Sequence, residues 1–293
     1  MRSATSSFES PPLRWLVGAA HTYMCETRSV LRVNQLGMEN QIRLVFQLRV
    51  LRQLPETGGY VVRVQVLSTE QSQQQGLHQL IAALNQVSET LDIETDQFGY
   101  AQRILNQAEL QVKWPGVRAA LSQQFREFPQ TEALLTGLDH QLATPGALES
   151  AVLPNGIYGV LFAGLLGQPF SWQAPAPPVS WVLPRFFGSI DLPLLLHRQA
   201  EPPQELLTQQ TRILVAGTLD EATFDAASWR RMLRQITDTP TLDTTLTLAC
   251  QHRYELSTLD GTLRSATQRL HVEVPGVYGN ELTHRLTLQP EQL

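Results

Sequence analysis

The chain has 293 residues, a hydrophobic fraction of 42%, a charged fraction of 17% and a formal net charge of −5. That apolar content sustains a sizeable core and excludes a disordered chain. The acidic balance argues against nucleic-acid binding, which shows as a basic excess. The length allows one large or two ordinary domains.

Residues 1–12 are polar, end in Pro11-Pro12 and read as a flexible tail. No apolar leader core is expected there. On the first strand His21, Tyr23 and Cys25 alternate on one face. Leu44, Phe46, Leu48 and Val50 then share a face opposite Arg43, Gln47 and Arg49. The turn Pro55-Glu56-Thr57-Gly58-Gly59 reverses the chain into Tyr60, Val62, Val64 and Val66. Period-two alternation about a Pro/Gly turn predicts a hairpin.

Residues 69–88 are rich in Gln, with Leu77, Leu80, Ile81, Leu84 and Val87 at helical spacing; the first half reads as helix or as loop. Leu91 to Ile104 reads as a second hairpin, turning at Gln97-Phe98-Gly99. Asn106 with Glu109 resembles a capping box and starts a helix; Pro115 is expected to open a further helical segment. Helices are expected over Thr131 to Leu142, after Thr144-Pro145, and over Ile157 to Leu166. That last run is about half the ~20 apolar residues of a membrane span.

Residues 167–184 carry Pro169, Pro175, Pro177, Pro178 and Pro184 and read as an irregular crossing. Strands are expected over 186–198 and 209–218, then a helix near 221–236 capped by Asp220. From Leu246 the even positions read Leu, Leu, Cys250, His252, Tyr254 and Leu256, against polar odd positions. Such a strand has one buried and one wet face. Asp260-Gly261 turns it back, and strands through Leu270–Val274 and Leu282–Leu288 complete the chain.

Strand blocks flanking a helical block point to the α+β class. The expected fold is a curved antiparallel sheet from the N- and C-terminal β-blocks, packed on a central helical block. One α+β unit is expected over 13–293. It divides into a β-block 13–67, a mainly helical block 68–166 with the hairpin near 91–104, the crossing 167–184, and a β-block 185–293.

Six residues on the greasy strand faces carry polar tips or a thiol: Tyr23, Cys25, Cys250, His252, Tyr254 and His284. They are the candidate ligand-binding residues. His284 reads either as a base in a cavity or as a satisfied core histidine. The Cys/His alternation suits zinc in residue type, but no C-x-x-C or H-x-x-x-H spacing supports it, so no metal is expected. Asp92, Glu94 and Asp96 share a strand face, which reads as a cation site or as the wet side of a sheet. Trp172 and Trp181 in the Pro-rich crossing are candidate partner contacts. Two cysteines build no disulfide framework. No P-loop, G-x-S-x-G, G-x-G-x-x-G or H-E-x-x-H occurs, and no catalytic residue or cofactor is expected.

The stretch from Phe98-Gly99-Tyr100 through Ile104-Leu105-Asn106-Gln107-Ala108-Glu109-Leu110 to Trp114 resembles a pattern in uncharacterised bacterial proteins of Bacteroidota type. The resemblance implies a turn, a cap and a core Trp, and no activity. The last β-block is loosely similar in architecture to half-barrel lipid or lipoprotein carriers. The expected function is a non-enzymatic binding or scaffold protein that uses a concave sheet face or sheet–helix gap for an apolar ligand or partner segment. The alternative is a hydrolase-type enzyme with a spatially assembled site around His252 or His284. A soluble, cytoplasmic protein without transmembrane segment is expected.

Overall fold

The computed structural model describes residues 9–73, 77–202, 209–237 and 245–290. Among them, eleven strands form one antiparallel sheet, open at both edges. They are β1 (Ala20–Val33), β2 (Leu36–Gln53), β3 (Tyr60–Gln71), β4 (Thr90–Thr95), β5 (Ala101–Ile104), β6 (Val179–Phe187), β7 (Ile190–Ala200), β8 (Gln210–Leu219), β9 (Thr247–Ser257), β10 (Leu263–Val274) and β11 (Tyr278–Leu288). The strand order is β5-β4-β3-β2-β1-β11-β10-β9-β8-β7-β6. The helices are α1 (Leu77–Asn85), α2 (Gln107–Gln124), α3 (Thr131–Ala143), α4 (Ala147–Val152), α5 (Gly156–Leu161) and α6 (Ala226–Thr237). The α+β class and the antiparallel sheet drawn from both β-blocks are those expected.

The chain divides into two compact units. The first holds residues 1–16, 26–39 and 165–288; the second holds 17–25, 40–164 and 289–293. The division falls inside β1 and β2, so each of these strands contributes to both.

In the second unit β2 and β3 form the expected hairpin, with Phe46, Leu48, Val50, Val62 and Val64 buried. The β4–β5 hairpin turns through Asp96, whose Oδ1 accepts from the amides of Phe98 and Tyr100, 2.9 Å each. Three helix expectations need correction. Asn106 precedes α2 but makes no side-chain cap. Its amide instead braces β4, accepting from Asp92 N (3.0 Å) and donating to Thr90 O (2.9 Å). Pro115 lies inside α2 rather than opening a new segment. Both halves of that helix are tied to α3, Trp114 Nε1 donating to Asp139 and Arg118 Nε donating to Asp139 Oδ2. The expected helix 157–166 is shorter, because α5 ends at Leu161.

In the first unit, residues 1–8 of the expected tail lie outside the described residues. Glu9 bridges to Ser171, and buried Ser10 exchanges two hydrogen bonds with Phe170. The crossing ends earlier than expected, because β6 begins at Val179. Pro184 is tolerated there because β6 is an edge strand. The expected strand 186–198 is therefore two strands, β6 and β7, that turn between Phe187 and Ile190. The cap of α6 is Asp225, not Asp220. Asp225 Oδ1 accepts from Ser228 N at 3.0 Å, while Asp220 holds the preceding turn through Ala222 N and Thr223 Oγ1. From α6, Trp229 and Leu233 enter a core with Leu183, Phe187, Leu192, Leu194, Leu270 and Val272. Trp229 stands edge-on to Tyr278, and its buried Nε1 has no hydrogen-bond partner among the described residues.

Candidate functional site

Alternation along β9, β10 and β11 determines which side chains leave the wet face. On β9 Cys250, His252, Tyr254 and Leu256 are buried; on β10 Ala266, Gln268, Leu270 and Val272; on β11 His284 and Leu286. Register then aligns them across strands. Gln268 pairs with His252 on one side and His284 on the other, and His252 pairs with Val215 of β8. His252, Gln268 and His284 thus form one polar row. Each is nearly closed to solvent, at 5%, 5% and 6% exposure. Val215 pairs in turn with Arg198 of β7, so the same row continues to a guanidinium only 3% exposed.

The neighbouring rows are largely apolar. One reads Ile213, Tyr254, Ala266 and Leu286; the other Gly217, Cys250, Leu270 and Leu282. Gly217 is required where it stands: a Cβ there would lie 2.6 Å from Cys250 Sγ. The polar row is therefore a belt of hydrogen-bonding groups across an apolar sheet face.

The bonds within the belt are specific. Gln268 Nε2 donates to the Tyr254 hydroxyl at 2.7 Å. His284 Nδ1 and Thr27 Oγ1 of β1 share a hydrogen bond of 2.8 Å. Cys250 Sγ and His252 Nε2 lie 3.4 Å apart. Trp181 of β6 meets the His252 ring edge-on, centroids 5.5 Å apart, and Tyr254 meets it at 6.3 Å. Each imidazole thus uses one ring nitrogen. The other, Nδ1 of His252 and Nε2 of His284, has no hydrogen-bond partner among the described residues.

Burial determines the charge state. It pushes the His252 imidazole down to about 4, helped by repulsion from His284, and pushes His284 down to about 4 as well. It pushes the Cys250 thiol up to about 12, against a smaller opposing effect of the Gly217 backbone amide. At neutral pH the belt therefore carries neutral imidazoles and a neutral thiol. A nucleophilic cysteine requires a thiolate, usually beside an imidazolium, and this environment favours neither.

Cys250, His252, Tyr254 and His284 thus share one face of the first unit, and Thr27, Gln268, Arg198 and Trp181 join them there. Thr27 and Gln268 were legible as polar residues at buried parity, had β1 and β10 been followed over their full lengths. Trp181 is a strand residue packed on this belt rather than part of an irregular crossing. Trp172 is half-buried, and its carbonyl accepts from Gln199 Nε2 at 2.9 Å. Tyr23 and Cys25 belong to the second unit, both buried, Tyr23 stacked on Phe46 at 5.5 Å. Both cysteines are free thiols.

The acidic face of β4 is used by ion pairs. Arg63 grips Asp92 with two bonds of 2.7 and 2.8 Å, and Arg103 grips Glu94 with two of 2.9 and 2.7 Å. Among the described residues no three His, Cys, Asp or Glu side chains are grouped to hold a metal ion. No helix among them is long and apolar enough to cross a membrane.

No family model matches this chain. No curated protein matches it either. Among solved structures it is similar to a DUF1329 family protein from Desulfovibrio piger, at 8% identity over 94% of this chain and 88% of that one. The TM-score is 0.19.

Proposed function

We propose that the protein is a non-enzymatic binding protein whose first-unit sheet face receives an apolar ligand or the apolar segment of a partner. The observation that carries this reading is the belt itself. Ligand sites are mainly apolar surfaces with a few placed polar groups that orient the guest. Here one row of hydrogen-bonding side chains, His252, Gln268 and His284, lies between apolar rows. The alternative of a hydrolase around His252 or His284 has less behind it. Among the described residues neither imidazole is hydrogen-bonded to a carboxylate, and the adjacent Cys250 thiol is pushed away from its reactive form. A reducing compartment such as the cytoplasm suits two buried free thiols.

The test combines two measurements on the purified chain. Native mass spectrometry reads any co-purified molecule, and titration with the neutral apolar dye N-phenyl-1-naphthylamine reads binding directly. Saturable binding of about one dye per chain, weakened at least ~10-fold by Ala266→Trp, is the expected result. Ala266 lies beside the belt, and a Trp there fills the face. A bare mass together with unsaturable dye uptake would overturn the reading. Turnover of p-nitrophenyl esters that disappears in His252→Phe would favour the hydrolase instead.

A further inference from the structure

The apolar side of the first unit's sheet continues past the region that α6 covers. Asn34 and Gln35 form a two-residue turn between β1 and β2, with Asn34 at φ 53°. Such a turn sets Val33 opposite Leu36 and Leu31 opposite Met38, the side chains of each pair on one face. The other face agrees with this register: a Cβ on Gly37 would lie 3.9 Å from Arg32 Cγ. Leu31 and Val33 pack against the core that Trp229 and Leu233 enter from α6. Their partners across the hairpin are open to solvent. Leu36 is 79% exposed and Met38 66%, and pairing with β3 begins only at Ile42. A lone surface leucine needs no explanation. Here two large apolar side chains stand next to each other on one strand face and carry the core outward.

α6 adds positive charge on the same side of the sheet. At 3.6 residues per turn, Trp229 and Leu233 point toward the sheet while Arg230, Arg231 and Arg234 point away from it. All three arginines are exposed. Arg231 helps to hold the Asp225 carboxyl below its usual range. Arg230 and Arg234, one helical turn apart, have no ion pair or hydrogen bond among the described residues.

These two features together select an occupant. Two protruding side chains fall far short of the roughly 800 Å² per partner that a stable homodimer buries. A lipid surface requires no such area. It is held by a few apolar side chains at the headgroup–acyl boundary and by cations that meet anionic headgroups. The chain carries a formal net charge of −5, so an anionic bilayer selects the side on which unpaired arginines stand.

We propose that this side of the first unit docks reversibly on an anionic lipid bilayer, with Leu36 and Met38 entering the headgroup–acyl boundary and Arg230 and Arg234 meeting lipid phosphates. The protein then lies on the bilayer and does not cross it. The contact is separate from the ligand-binding reading above, since it uses neither His252, Gln268 nor His284.

Co-sedimentation of the full chain with extruded vesicles tests it. Vesicles of equimolar phosphatidylglycerol and phosphatidylcholine should bind the chain at least ~10-fold more tightly than phosphatidylcholine alone, and high salt should remove most of that preference by screening. Leu36→Ser/Met38→Ser and Arg230→Gln/Arg234→Gln should each weaken partition into the anionic vesicles at least ~10-fold. All four side chains are exposed, and circular dichroism establishes that each variant folds. A solvatochromic thiol dye on Leu36→Cys should shift to the blue with anionic vesicles; the two native thiols are buried and escape labelling. Absence of binding to anionic vesicles, or binding that neither double variant weakens, overturns the proposal. Binding that depends on the arginines while the dye stays unmoved overturns the insertion of Leu36 and Met38. Concentration-dependent dimerisation that Leu36→Ser/Met38→Ser abolishes overturns it in favour of a second copy of the chain.

Discussion

His252 and His284 make the protein's stability depend on pH, and the sign follows from their burial. In the unfolded chain each imidazole titrates near its ordinary 6.5; folded, each is pushed down to about 4. Between those values the unfolded chain binds more protons, so acid favours unfolding. The contribution is fully present above 6.5 and is lost as pH falls toward 4, by about 3 kcal/mol for each histidine. The groups facing the pair do not offset this. Burial raises the Cys250 thiol well above this window, Gln268, Thr27 and Trp181 do not titrate, and Tyr254 and Arg198 complete the groups that face the pair. Urea unfolding at pH 7 and pH 4.5 should therefore show a loss of stability that is smaller in His284→Phe by about 2–3 kcal/mol. An equal loss in the variant and the parent would mean that the imidazole is already solvated.

At the scale of elements, α6 is held at both its start and its buried face. Asp225 caps it through Ser228 N, and that bond together with others to Ser228 holds the carboxyl below the usual range. Trp229 and Leu233 carry the helix into the first unit's core. Removing the cap by Asp225→Ala should lower the urea midpoint measurably, whereas Asp220→Ala, at the turn before it, should lower it less. The misplaced cap shows what alternation and spacing can convey. Strand faces were legible because burial follows period two: Phe46, Leu48 and Val50 on β2 and Cys250, His252 and Tyr254 on β9 lie where their parity put them. Cap choice was not, because Asp220, Asp225 and Asn106 all have the right chemistry and only tertiary neighbours decide what each one bonds. The belt was half legible for a similar reason. Parity marked His252 and His284 as inward, but register across three strands is what sets Gln268 between them.

The sheet order places β1, the first strand, beside β11, the last, with β10 on the far side of β11. Such pairing joins chain segments about as distant in sequence as the protein allows, and non-local contacts of this kind make folding slow. Thr27 of β1 meets His284 of β11, and Gln289 N donates to Thr22 O, so the belt itself is complete only when both ends of the chain are in place. A chain ended after Val274 loses β11 and leaves β1 and β10 with unpaired backbone edges. Unpaired edges template association with other chains. The expected outcome is a truncated protein recovered in the insoluble fraction or as a large aggregate by size-exclusion chromatography, without dye binding. A chain ended after Pro290 keeps β11 and should remain monodisperse. Soluble, dye-binding protein from the Val274 truncation would show that the face functions without His284 and without the β1–β11 pairing, and the belt would then have to be redrawn around His252 alone.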